Sequence, residues 1–414
     1  MKKTLLITSL SLASACSSLP DWLGSADEAP LAGERISVID SSINLKPDED
    51  LAKEVIVTSD AKIDFTKHQT YNIGEAAVDG YVLANPPVIA DGKLFAIDGL
   101  GTVRAVSQTD LKKLWSNQNS EEDEKELPGG GIAYANGIIY ATRGNGDVVA
   151  ISAENGAELW KKNLGAAIRK NPAIGEDKVF VATADNQLFA LNLIDGATVW
   201  RHSGSSESTI NYGSPAPAIK DGTVVVAYSS GEVFALNALR GSEVWAETIS
   251  NGSERRKTSA TFVDVSATPL MVDGITYVAS QNGSVIAFNT SNGFRIWEQK
   301  TGAVEYTPTF LDKFLFLVAD NSRVVAINRY DGKIKWVANL PPKKNKKDNT
   351  IWAGPVVAGG SLIAASSNAK LAVFDVNTGE MTGLKDGQED VYALPLVSGN
   401  NLYLLSKNAT LAVY

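Results

Sequence analysis

Apolar residues recur along this chain with a period of two inside short segments, and the segments themselves recur at roughly 40 to 50 residues, a spacing typical of propeller blades or solenoid units. Val148, Ala150 and Ser152 share one face of an extended segment while Val149 and Ile151 share the other, which disfavours helical repeats. One phrase closes six of the units: a small or polar residue, a β-branched residue or Leu two later, Ala two after that, a turn, and Trp at offset fourteen. It runs Gly101-Val103-Ala105-Trp115, Gly146-Val148-Ala150-Trp160, Asn186-Leu188-Ala190-Trp200, Gly231-Val233-Ala235-Trp245, Gly283-Val285-Ala287-Trp297 and Ser322-Val324-Ala326-Trp336. Two degenerate copies follow, Ala369-Leu371-Val373 with Gly379 but no Trp, and Ala409-Leu411-Val413.

Each unit reads as four strands. In the third these are Pro172 to Gly175, Lys178 to Ala182, Gln187 to Asn192 and Thr198 to Arg201, separated by Glu176-Asp177, Asp185-Asn186 and Asp195-Gly196. Asp91-Gly92, Asn136-Gly137, Asp221-Gly222, Asp273-Gly274 and Gly359-Gly360 supply the positive-φ residues that tight hairpins require. A lone four-stranded sheet cannot bury both faces, so the units must stack around an axis into a closed ring that leaves no exposed edge between them. First strands near Pro87, Ile132, Pro172, Pro217, Pro269, Pro308, Pro355 and Pro395 predict an all-β, eight-bladed β-propeller of antiparallel blades. The last unit stops at Tyr414 after its third strand, so an N-terminal strand is expected to complete it, with Glu54-Val55-Ile56-Val57 the candidate. The six Trp side chains are expected to dock neighbouring blades, and Gly156, Gly196, Gly241, Gly293 and Gly332 to serve as turn residues.

Composition adds exclusions. With 44% hydrophobic and 21% charged residues the chain has material for a core, and a net charge of -9 with no basic stripe argues against general nucleic-acid binding. The N-terminus reads as a targeting segment: Lys2 and Lys3, an apolar run from Thr4 to Leu12, then small residues before Cys16. Leu12-Ala13-Ser14-Ala15-Cys16 resembles a bacterial lipobox, which implies a signal peptide over 1–15, acylation of Cys16, a polar tether over 16–30 and a propeller over 31–414. Ser17 stands where such lipoproteins carry Asp when retained at the inner membrane, so the anchor is expected at the outer membrane.

Candidate chemistry is sparse. Cys16 is the only cysteine, which rules out intrachain disulfides and a Cys-based zinc site. His68 and His202 have no metal-ligand neighbour at a recognisable spacing, and Gly129-Gly130-Gly131 lacks the Lys-Ser/Thr of a phosphate loop and reads as a hinge into a strand. Neither a cofactor, a metal nor a catalytic group is expected. The long segments run between units, Ser116 to Gly130, Arg201 to Pro215, Ala246 to Ala267 and Val337 to Gly354, and in an up-and-down blade all emerge on one face. Their charge differs from loop to loop: Glu121-Glu122-Asp123-Glu124 is acidic, Arg255-Arg256-Lys257 and Lys343-Lys344-Asn345-Lys346-Lys347 basic. Such a patterned rim suits protein docking.

The Trp phrase resembles the repeat of pyrroloquinoline-quinone enzymes, whose Trp and Gly pack between blades. Those enzymes bring a vicinal cysteine pair beside the quinone, which this chain lacks, so a quinone-dependent dehydrogenase or a ligand-binding propeller is the alternative. Signal, lipobox, tether, repeat array and the segment Pro30-Leu31-Ala32-Gly33-Glu34-Arg35-Ile36-Ser37-Val38 together resemble the lipoprotein propellers of the outer-membrane β-barrel assembly (BAM) machinery. That resemblance implies a non-enzymatic scaffold at the periplasmic face of the outer membrane, whose partners are the POTRA region of BamA, other BAM components and unfolded outer-membrane proteins. It also implies contacts from the loops joining the third to the fourth and the fourth to the fifth blade. Asp264, with Thr268-Pro269 following, matches an acidic residue of the family motif, and Ser266 replaces a second acid. Ile210 and Tyr212, chosen for apolar character, join Arg255, Arg256 and Asp264 as the candidate partner-binding residues.

Overall fold

In the computed structural model residues 45–76, 85–118, 129–205, 215–249, 265, 267–281, 283–319, 322–342, 350–387 and 389–414 are described, and they form eight four-stranded antiparallel sheets. The third blade consists of Ala173–Gly175, Lys178–Ala182, Gln187–Asn192 and Thr198–Ser203, hydrogen-bonded in that order. Blades 1, 2, 4, 5, 6 and 7 repeat the pattern over 88–117, 130–163, 218–248, 270–300, 309–339 and 352–386. First strands of neighbouring blades touch one another, so they line the axis, while the fourth strands form the outer edges.

The period of two in the sequence now has a direct physical meaning. Val179 and Val181 of blade 3 pack with Tyr140, Val148 and Ala150 of blade 2, whereas Phe180 and Ala182 pack with Val224 and Val226 of blade 4. Alternate side chains serve opposite neighbours, and both faces of the second and third strands are buried. The hairpins between first and second strands turn through Asp91 and Gly92 (φ 48° and 69°) or Glu176 and Asp177 (φ 50° and 54°), the left-handed conformations that Gly, Asn and Asp tolerate best.

Each Trp of the phrase sits in a fourth strand directly opposite the phrase Ala, as in Ala190↔Trp200 and Ala105↔Trp115, and the register slips by one residue immediately afterwards. The indole is thereby presented to the next blade. Trp200 Nε1 donates to the carbonyl of Ala238 at 3.1 Å, and a Cβ placed on Gly241 would lie 2.6 Å from its ring. The same pairing joins Trp115 with Ala153 O and Gly156, Trp160 with Leu193 O and Gly196, and Trp245 with Thr290 O and Gly293. Trp297 with Arg329 O and Gly332, and Trp336 with Val376 O and Gly379, complete the set. These Gly residues hold φ near +70°, so they combine the left-handed turn with the bare surface that a stacked indole needs.

The eighth blade is completed by an N-terminal strand, but not by the one expected. Gln69–Asn72 pairs with Thr410–Val413 in the register Gln69↔Val413 to Asn72↔Thr410, joining both ends of the propeller in one sheet. Glu54-Val55-Ile56-Val57 instead belongs to a strap over the face that carries the first-to-second-strand hairpins: Val55 and Val57 are exposed and only Ile56 is buried. Asp48 N–H donates to Ile334 O of blade 6, Ile56 N–H to Asn377 Oδ1 of blade 7 and Lys62 N–H to Asn400 Oδ1 of blade 8. Lys335, the residue before Trp336, is 0% exposed, and its Nζ donates to the carbonyls of Leu51 and Glu54 at 2.8 and 2.5 Å. Alternation alone nominated the apolar segment, whereas the ladder selected a more polar one. An outer strand needs backbone pairing more than two-sided burial, and Gln69–Asn72 is largely exposed.

Two substitutions separate backbone strain from blade docking. Gly222 (φ 73°) has no atom within 4 Å of an added Cβ, and Gly241 (φ 71°) meets the Trp200 ring. Gly222→Ala should cost about 1–2 kcal/mol, the left-handed penalty, and Gly241→Ala about 1–3 kcal/mol more, from overpacking. Chemical denaturation of both variants checks the difference.

Candidate partner-binding face

Second-to-third-strand turns and the connections between blades share the face opposite the strap. There the two loops nominated from the sequence have firmly built roots. On the blade 3 to 4 loop, Ser205 donates to Glu232 of blade 4 twice, from N–H at 2.7 Å and from Oγ at 2.8 Å, and Ser230 Oγ adds a third bond at 2.8 Å. Asn186, buried with φ 57°, donates from Nδ2 to Ser205 O at 3.0 Å and accepts from Ser229 Oγ at 3.0 Å. Gly204 lies so close to the Tyr228 ring that an added Cβ would approach within 2.4 Å. On the blade 4 to 5 loop, Ile249 and Val265 are both buried in the cluster that holds Trp245. The two roots thus rise from adjacent blades on one face.

Ile210, Tyr212, Arg255, Arg256 and Asp264 lie outside the described residues, as does Cys16, although Asp264 directly precedes the buried Val265. The six Trp residues lie at the seams between blades and not in this rim. His202 meets the Phe234 ring at a tilt, centroid to centroid at 4.4 Å, with Nδ1 3.0 Å from Tyr228 Oη and Nε2 3.3 Å from Glu243 Oε1, so it bridges blades 3 and 4. His68 sits beside Tyr414, ring to ring at 5.8 Å. Gly130 and Gly131 open the first strand of blade 2, where Gly131 N–H donates to Thr142 Oγ1 at 2.9 Å, which occupies an amide an anion would need. Among the described residues no group of three or more His, Cys, Asp or Glu side chains could hold a metal ion.

Towards the axis, residues just ahead of the innermost strands tie non-neighbouring blades together. Tyr306 Oη donates to Tyr392 O at 2.8 Å, linking blades 6 and 8, and Asn85 Nδ2 donates to Arg169 O at 3.4 Å, linking blades 1 and 3. Desolvation, then the neighbouring Glu305, pushes the Tyr306 hydroxyl pKa up, which keeps it a donor. The sequence reading passed over Glu232, Tyr306 and Tyr392. Asn186 alone carried a legible signal, since it replaces the Gly found at that place in most copies of the phrase while keeping its positive φ.

The sequence model of the outer membrane protein assembly factor BamB matches residues 101–338, more than half of the chain. The chain belongs to the BamB family. BamB of Yersinia pestis is 23% identical over 249 residues, which cover 58% of this chain and 62% of that protein. An uncharacterized Rickettsia conorii protein is 34% identical over 122 residues, 29% of this chain and 30% of its own length. The chain thus spans less than two thirds of the length of these relatives. The crystal structure of BamB from Moraxella catarrhalis superposes with a TM-score of 0.68 at 20% identity, covering 83% of this chain and 99% of that one, a likeness of fold.

Glu232 gives this face a pH-dependent root. Desolvation raises its pKa, but the hydrogen bonds from Ser205 and Ser230 and the nearby His202 outweigh that and hold it below the usual Glu range. A depressed native pKa means stabilisation is complete above the unfolded-state value of about 4.3 and is lost as pH falls through the native value. The melting-temperature gap between the parent chain and Glu232→Gln should therefore be widest near neutrality and close on acidification. Paired thermal melts across that range measure it.

Proposed function

We propose that this chain is a non-enzymatic scaffold of outer-membrane protein assembly, anchored through a lipid on Cys16 at the periplasmic face of the outer membrane. Its blade 3 to 4 and blade 4 to 5 connections dock the POTRA region of a BamA-like partner, with Ile210 and Tyr212 as apolar anchors and Arg255, Arg256 and Asp264 fixing orientation. The observation that carries this reading is the pair of loop roots: Glu232 and Asn186 on one connection and Ile249 with Val265 on the other rise from adjacent blades on one face. A rigid base under long, charge-bearing segments holds the ordering cost of binding down. Family membership supplies the outer-membrane context.

A quinone-dependent dehydrogenase has less support, because a single cysteine cannot form the vicinal pair that such enzymes place beside the quinone. The six docking Trp residues are a property of the blade and do not choose between the readings.

Co-purification from outer membranes tests the scaffold. Tyr212→Ala combined with Asp264→Arg should abolish recovery of the barrel-assembly partner while melting temperature and membrane fractionation stay at parent values, since hot-spot residues each contribute about 2 kcal/mol or more. Full recovery at parent salt sensitivity would move the interface elsewhere. Cys16→Ser should leave the chain soluble or retained as precursor, read by fractionation. Titration with pyrroloquinoline quinone, followed by absorbance of bound quinone, should show none retained.

A further inference from the structure

A cavity of about 410 Å³ opens on the same face, between blades 5, 6 and 7. Its walls include Gln281 and Ser322 from second-to-third-strand turns, Glu305 from the connection into blade 6, and Thr350, Ile351 and Trp352 at the start of blade 7. Glu305 stands out chemically. Its carboxylate receives no hydrogen bond and forms no ion pair with any described residue, although it remains open to solvent through the cavity mouth. The protein around it raises its pKa by desolvation, and the charge of Lys170, from the connection into blade 3, opposes that without reversing it. Tyr306, its chain neighbour, is occupied with Tyr392 O, so the wall that carries Glu305 is itself held across the ring.

An unpaired carboxylate in a concave, part-apolar site attracts a cation more strongly than one on an open surface, because water screens it less. Of the other polar groups of the wall, the Gln281 amide and the Ser322 hydroxyl can each accept a hydrogen bond, whereas Thr350 Oγ1 already receives one from Asn368 Nδ2 at 3.0 Å. One negative charge with two dispersed acceptors suits a planar guanidinium with five N–H donors better than a compact ammonium. Trp352 and Ile351 offer apolar surface for the alkyl stem.

We propose that this cavity is an anchor pocket for an arginine side chain presented by a partner polypeptide, with Glu305 as its counter-ion. The pocket is a second contact point on the face read above as the docking face. It rests on that reading only for the partner's identity, not for its chemistry.

The probe is the tripeptide acetyl-Gly-Arg-Gly-amide, titrated into the full chain and followed by NMR line shifts of the peptide. Binding should weaken about tenfold or more when Arg is replaced by isosteric, uncharged citrulline, and by a similar factor in Glu305→Gln with the original peptide. Ser322→Ala, which removes one acceptor but no charge, should weaken it less, and all variants should keep the parent melting temperature. Equal binding of the Arg and citrulline peptides, indifference to Glu305→Gln, or no binding at all would overturn the proposal. If the peptide results fail while co-purification still depends on Tyr212 and Asp264, this pocket falls and the scaffold stands. If co-purification fails while the peptide still requires Glu305, the pocket stands without that partner.

Discussion

The contact between a Trp ring of one blade and a left-handed Gly of the next holds this ring together. It works in three ways at once: the indole covers the turn, its N–H satisfies a turn carbonyl at 2.8 to 3.2 Å, and the missing Cβ lets the two meet. An aromatic side chain of this size buries about 150–250 Å². At about 25 cal/mol per Å² that is about 4–6 kcal/mol as an upper bound. Six such seams, from Trp115 to Trp336, chain blades 1 to 7 into one arc. The small phrase Ala opposite each Trp and the register slip after it are the means by which the indole leaves its own sheet and reaches the neighbour.

Two seams lack this device, and both meet at blade 8. Gly383 occupies the place of the Trp in blade 7, paired with Val373, and Leu111 occupies the place of the docking Gly in blade 1. At the blade 7 to 8 seam, Ile63 and Phe65 of the strap pack against Ile363, Leu404 and Tyr414 instead. At the blade 8 to 1 seam, Ile73 and Leu111 share a cluster with Leu94 and Leu411. The N-terminal segment therefore supplies both the missing strand and much of the missing seam packing. Its hold on blade 6 runs through Lys335, a cation buried against two backbone carbonyls and the Phe314 ring, which is tolerable only because both strap carbonyls point at it.

The division of labour between the two faces follows from this. The strap and the tight hairpins cover one face, and the long connections emerge on the other, rooted by Glu232, Asn186, Ile249 and Val265. A closed ring with satisfied seams tolerates changes in those connections without loss of the core, because their length adds only slowly to the entropy of loop closure. Function can then vary on the loops of a constant frame, which is consistent with a family fold retained at 20% identity.

Much of the architecture was legible without coordinates because its causes are local. Period-two alternation, the Ala-to-Trp offset and the Asp-Gly and Asn-Gly turns each depend on residues a few positions apart, and they placed the four strands of blade 3 within about two residues. The lone cysteine likewise excluded whole classes of chemistry. What only the tertiary structure decided involves partners far apart in the chain. Which N-terminal segment closes the ring depended on backbone pairing with Thr410–Val413, not on hydrophobicity, so the apolar Glu54–Val57 stretch was a misleading signal. Glu232 against Ser205, Tyr306 against Tyr392, and the cavity around Glu305 arise where separate blades converge, and no spacing rule within one blade encodes that convergence.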